Sequence, residues 1–238
     1  MKPGEAAGNM NKAEETSVPE VSHILKVGPD GMSGKTLLRA RDVLRSGGLV
    51  AYPTESFYGL GADARNEAAV RRLVRVKKRD PGRPVLILIP SQASLERYVR
   101  RIPSVGARLV DAFWPGGLTL VFEAGEGISP LLTGGSGRIG IRFSSHPVAT
   151  ALAQALDAPV TGTSANLSGA PPCRSAEAVI RSLGNGVSLV IDGGLTPGEA
   201  ASTVLDVTVD PPVILRQGMI LESRLRKVIG GPLEKASP

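Results

Sequence analysis

Nine short apolar runs, each closed by turn residues, dominate this chain: 23–27 (HILKV), 49–52 (LVAY), 85–89 (VLILI), 118–122 (LTLVF), 138–142 (RIGIR), 159–163 (PVTGT), 188–192 (SLVID), 202–206 (STVLD) and 213–216 (VILR). Runs this short and this rich in Val and Ile bury their side chains as β-strands. Between several of them apolar residues fall at helical spacing: Leu37, Leu38, Val43 and Leu44; Val70, Leu73 and Val74; Val148, Leu152 and Leu156. Strands and helices interleave without strict alternation, and several strands follow one another near the C-terminus. The pattern predicts an α/β fold, a twisted mixed sheet flanked by helices. There is no internal repeat and no linker that splits the body. Residues 21–238 therefore read as one domain, behind a polar segment over 1–20 with the composition of a disordered tail.

A chain of 238 residues, 42% of them hydrophobic, can bury a real core. None of its apolar runs approaches the roughly 20 residues of a membrane helix, and the first 20 residues lack the apolar stretch of a signal peptide. The single cysteine, Cys173, excludes a disulfide framework and a cysteine-based zinc site. A cytoplasmic protein with no membrane partner is the expectation. Lys and Arg number 28 against 22 Asp and Glu, a net charge of +6, which favours anionic partners such as nucleotides, pyrophosphate or RNA. Aromatic residues make up only 3%, too few for an RNA surface of stacked rings, so small anions are preferred.

Some motif-like stretches do not hold up. GPDGMSGKT (28–36) follows a strand and opens a helix, but a phosphate-binding P-loop needs Gly where this chain has Pro29; Ser33 reads as a helix cap instead. Gly59 and Gly61 lack the third glycine of a dinucleotide fingerprint. His23 and His146 are too few for a histidine-rich zinc site. A hydrolase using Ser164 or Ser168 with His146 lacks the G-x-S-x-G elbow.

Two loops carry the chemistry. KKRDPGRP (77–84) sets Lys77, Lys78, Arg79 and Arg83 around a Pro-Gly turn between a helix end and a strand. Cations suit a helix C-terminus in any case, but four in seven residues exceed that need and make the best triphosphate clamp in the chain. PVTGTSANLSG (159–169) ends a strand in Thr163, Ser164, Asn166 and Ser168, which can serve a ligand's polar edge or simply turn the chain. Gly and Pro recur at most strand ends, as at the rim of one concave cavity. Glu55 and Asp192 read as turn caps rather than ligands of a hydrated ion.

These stretches, together with AYPTESFYGLGAD (51–63), FWPGGLTLVF (113–122), IGIRFSSHPVA (139–149), VIDGG (190–194), STVLD (202–206) and ILRQG (214–218), resemble the YrdC-type threonylcarbamoyl-adenylate synthases over about residues 34–220. The resemblance implies a YrdC-like fold around a cavity, in the short single-domain form. It also implies formation of threonylcarbamoyl-AMP and pyrophosphate from L-threonine, bicarbonate or CO2, and ATP carrying Mg²⁺, with no protein metal ligands assigned. The product would serve tRNA modification beside the anticodon through separate transferase proteins. By position, Lys77 and Arg79 match the catalytic, phosphate-holding Lys-x-Arg, and Arg83, Asn166 and Arg216 fall to the nucleotide. Thr54, Ser56, Arg142, Ser164 and Ser202 fall to threonine, with Arg142 on the carboxylate. Three departures stand out: Leu88 where many members have His, Arg83 where Asn is frequent, and Lys78 where Gly is usual, its side chain expected outward. The alternatives are a module that binds tRNA or double-stranded RNA without catalysis, and carbamoyl-adenylate chemistry on another acceptor. A mobile Lys/Arg loop or C-terminal segment is expected to close over the cavity.

Overall fold

A computed structural model describes residues 23–28 and 31–236; the 1–20 tail lies outside the described residues. In chain order the elements are β1 (His23–Lys26), α1 (Gly34–Arg45), β2 (Val50–Tyr52), β3 (Gly59–Gly61), α2 (Glu67–Val76), β4 (Ile87–Leu88), α3 (Ser104–Phe113), β5 (Leu118–Glu123), α4 (Pro130–Thr133), β6 (Arg138–Arg142), α5 (Pro147–Leu156), β7 (Val160–Thr161), β8 (Thr163–Ser164), α6 (Ala176–Leu183), β9 (Leu189–Asp192), β10 (Thr203–Asp206), β11 (Val213–Arg216), α7 (Glu222–Ile229) and β12 (Glu234–Lys235). Each of the nine apolar runs contains a strand, and 159–163 divides between β7 and β8. The mixed α/β class read from the sequence is the class observed, with the strands shared between two sheets. One has the order β1-β9-β2-β3-β8 and the other β12-β11-β10-β5-β6-β4-β7.

Alternation along the strands sorts side chains between layers. In β2 and the residue before it, Leu49 and Ala51 join the core under α2 and α6, while Val50 and Tyr52 join the core under α1 and α5. Helix α5 brings Val148, Ala149, Leu152, Ala153 and Leu156 to that second core; its spacing keeps them on one stripe, each large side chain contributing about 1.5–3 kcal/mol. In the seven-stranded sheet, Leu118, Leu120, Phe122, Ile139, Ile141 and Leu205 face α3 and α7. The residues between them point the other way, into a cavity.

Strand β3 was not legible as a strand, because Gly-Leu-Gly has poor strand propensity. It forms between β2 and β8 because the Tyr52 ring lies where a Cβ on Gly59 or Gly61 would sit. Helices α3 and α6 were also missed. Ser33 caps α1, accepting from the Thr36 amide at 3.2 Å, as its position implied.

The end of α2 positions the basic loop. The Lys78 amide donates to the Arg75 carbonyl at 3.0 Å and the Arg79 amide to the Val74 carbonyl at 2.9 Å, a Schellman closure with Lys78 left-handed at φ 50°. That turn exposes Lys78 and sends Lys77 inward. Gly134, at φ 58° where α4 ends, lies against the backbone of the same loop; a methyl there would run into the Gly82 carbonyl oxygen. Gly134→Ala is expected to destabilise the fold by about 1–3 kcal/mol, read as a lower urea midpoint.

Candidate active site

The cavity, of about 600 Å³, opens between the two sheets. Its floor is the outward face of the seven-stranded sheet, supplied by Thr119 and Val121 of β5, Arg138, Gly140 and Arg142 of β6, and Val204 and Asp206 of β10. The loop after β2 contributes Thr54 and Ser56, the β8 loop Ser164 and Asn166, and the rims Arg79, Ser202 and Arg216. Eight of the ten residues singled out in the sequence therefore line one cavity.

Lys77 and Arg83 do not line it. Lys77 is 2% exposed, and its ammonium donates to the carbonyls of Ser164 and Asn166, the latter at 2.7 Å. It braces the serine-asparagine loop from beneath. Burial first, then the Arg79 charge, pulls its pKa down to about 8, so at neutral pH it keeps its proton. Arg83 is exposed, and its carbonyl accepts from Arg79 Nε at 3.4 Å. Arg79 also donates to the Pro84 carbonyl at 2.8 Å, which holds its guanidinium at the cavity edge.

The hydroxyl loops are pre-organised. Thr54 Oγ1 donates to the Phe57 carbonyl at 2.6 Å and accepts from the Ser56 amide at 3.1 Å. Asn166 Nδ2 donates to the carbonyls of Leu167 and Ala170, so this side chain shapes its own loop. Ser202 Oγ shares a 2.9 Å bond with Thr119 and accepts from Arg216 at 2.9 Å.

Four arginines reach the cavity, and they differ in their partners. Arg138 is paired with Asp206 at 2.9 Å and Arg142 with Glu55 at 3.4 Å. Arg79 and Arg216 are held by backbone carbonyls, which leaves their charge free of a carboxylate partner. Arg142 is 5% exposed, and its Nε, like Glu55 Oε1, is buried without a hydrogen-bond partner. A buried donor left over on a cationic group, at the wall of a cavity, suits an anionic ligand.

One expectation is corrected here. Glu55 is no turn cap: it pairs with Arg142 and accepts from Ser144 Oγ at 2.6 Å. Asp192 does cap a turn, accepting from the Gly194 amide at 3.0 Å. His146 spends Nδ1 on the Val148 amide at 3.2 Å as the cap of α5, and burial lowers its pKa, so it is no base for Ser164 or Ser168. Leu88 packs in the core with α5 rather than in the cavity. Arg138 and Asp206 were missed, although the signal existed: in RIGIR, residues 138, 140 and 142 share one face, so an inward Arg142 implies an inward Arg138.

The Sua5/YciO/YrdC family model, which carries the description "Telomere recombination", matches residues 42–218, and the chain belongs to that family. The threonylcarbamoyl-AMP synthase of Pyrococcus abyssi is 40% identical over 191 residues, covering 80% of this chain and 56% of that protein. That of Thiobacillus denitrificans is 40% identical over 164 residues, covering 69% of this chain and 87% of its own. The fold superposes on P. abyssi Sua5 complexed with L-threonine with a TM-score of 0.86 and 37% identity, covering 90% of this chain and 62% of that one. E. coli YciO gives 0.76 at 30% identity, covering 83% and 96%. The chain spans 56% of the length of the P. abyssi synthase and of its Bacillus subtilis counterpart. Among the described residues no helix is long and apolar enough to cross a membrane.

The Lys77 ammonium is expected to make anion binding pH-dependent. Loss of its proton removes a positive charge and one of three N–H donors, which weakens the hold on the Ser164 and Asn166 carbonyls. Affinity for pyrophosphate, read by calorimetry, is expected to fall as pH rises through about 8, and Lys77→Met to lack that inflection.

Proposed function

We propose that the protein is a threonylcarbamoyl-AMP synthase, joining L-threonine, bicarbonate or CO2, and ATP with release of pyrophosphate. The observation that carries this reading is the division of one cavity into two kinds of cationic site. Arg79 and Arg216, lacking carboxylate partners, suit the phosphates. Arg142, with its partnerless Nε, shares the cavity with the hydroxyls of Thr54, Ser56, Ser164 and Ser202, a set that suits the carboxylate and hydroxyl of a small amino acid.

In this reading the amine of threonine takes up CO2 to give a carbamate, losing a proton. A carbamate oxygen then attacks the α-phosphorus of ATP, and the bond to the bridging oxygen breaks as pyrophosphate leaves. This makes the protein a nucleotidyltransferase that needs no covalent nucleophile. Arg142 holds the carboxylate and fixes the amine's direction, while Arg79 and Arg216 stabilise charge on the phosphoryl oxygens. Lys77 holds the loop that presents Ser164 and Asn166 and adds positive charge beneath it, and Arg83 stands near enough to Arg79 to join the phosphates on closure. The exposed turn at 80–83, between Arg79 and Pro84, is the segment expected to close.

The cavity carboxylate Asp206 and the adjoining Glu55 are tied to arginines, and the described residues hold no cluster of three metal-ligating side chains. Magnesium would ride on the triphosphate, where it would neutralise phosphate charge. The product would pass, in the cytoplasm, to separate transferases that modify tRNA beside the anticodon.

Purified protein with ATP, Mg²⁺ and bicarbonate is expected to release pyrophosphate with threonine and far less with serine or no amino acid. No threonine-dependent release would overturn the reading. Arg142→Ala is expected to raise the threonine KM by about 100-fold with little change in that for ATP, and Arg79→Ala to do the reverse.

A further inference from the structure

The Arg142–Glu55 pair is the most buried ion pair facing this cavity, its side chains 6% and 12% exposed. Such a pair is weak evidence for stability, because removing two charges from water costs about what their attraction returns. Its geometry is also not that of a closed pair: the 3.4 Å contact joins NH1 to Oε1, yet Arg142 Nε and Glu55 Oε1 both lack hydrogen-bond partners. One leftover atom is a donor on a cation, the other an acceptor on an anion. The carboxylate is held from behind by Ser144 Oγ, whose own lone pair accepts from the His146 amide at 3.2 Å. Glu55 is thereby fixed by the loop leading into α5, independently of any ligand.

We infer that Glu55 is a positioning and specificity-determining residue: it neutralises Arg142 so that this end of the cavity takes the single carboxylate of an amino acid and refuses phosphate. A lone buried guanidinium binds phosphate oxygens at least as well as a carboxylate. With Glu55 the charge of the pair itself sums to zero, although the unpaired Arg216 is near enough to repel Arg142, so a single carboxylate is accepted beside the pair while a polyanion meets the Glu55 carboxylate. Arg79 and Arg216, which have no such partner, remain the phosphate sites. Glu55 acts through Arg142 and is not itself among the residues lining the cavity.

This inference rests on the synthase reading for the identity of the amino acid, and equilibrium binding separates the two. L-Threonine and pyrophosphate are titrated into the protein, into Glu55→Gln and into Ser144→Ala, with thermal melting to check folding. Glu55→Gln keeps the shape and removes the charge; it is expected to weaken threonine about tenfold and to tighten pyrophosphate, which should then compete with threonine. Ser144→Ala keeps the charge and is expected to weaken threonine without tightening pyrophosphate. Threonine binding by the unaltered protein with no shift in selectivity in Glu55→Gln, or equal loss of both ligands, overturns the inference and leaves the synthase reading standing. Failure of the unaltered protein to bind threonine overturns that reading instead, while tighter pyrophosphate in Glu55→Gln would still support the charge role of Glu55.

Discussion

Residues 159–165 run antiparallel to 58–64 over their whole length, and the two sheets meet along that run. Bonds from Ala64 to Pro159, Thr161 to Ala62 and Ala165 to Tyr58 mark its course. Its first half, β7, also pairs with β4, which ties it to the seven-stranded sheet, while β8 closes the five-stranded one. Gly162 sits at the changeover, its amide on the Leu86 carbonyl at 2.8 Å, and a side chain there would strike Leu86. Because both sheets share this segment, the serine-asparagine loop that follows emerges at the cavity they enclose. The Lys77 ammonium then fixes that loop to the end of α2. One buried cation couples a helix terminus, a strand crossing and the cavity wall.

Charge is distributed across the cavity by solvation as much as by position. Arg142, enclosed by the floor, is accompanied by Glu55, as an unpaired buried guanidinium would be costly. Arg79 and Arg216, nearer the rim, keep enough solvent to stand without a carboxylate. Tyr52 lies buried nearby with its hydroxyl on the Thr161 carbonyl at 3.0 Å, and burial keeps it protonated, so it adds no negative charge. The result is a cavity with two arginines paired to carboxylates and two that are not.

Much of this was legible because strands and turns have local signatures. The nine apolar runs located strands, the Gly and Pro clusters located their ends, and eight of the ten residues proposed for the site share the cavity. What escaped the sequence has identifiable causes. The glycine strand β3 depends on a tyrosine ring from its neighbour, and Arg138 was passed over although alternation from Arg142 implied its direction. Lys77 was read with Arg79 as a phosphate-holding cation, but its ammonium is spent beneath the serine-asparagine loop. The left-handed Lys78, outward as expected, sends Lys77 inward and Arg79 to the rim.

The sequence by itself determined the layers of the fold, since the period of its apolar residues is a local property that survives any arrangement of the elements. It also determined which hydroxyls and cations were available. Only the tertiary structure decided which arginines would be neutralised, by bringing Glu55 against Arg142 and Asp206 against Arg138 from strands and loops far apart in the chain. It also decided that Lys77 should serve a loop 87 residues away rather than solvent. The reason is physical: the free energy of a charge depends on its burial and its partners, and neither exists until the sheets close around it.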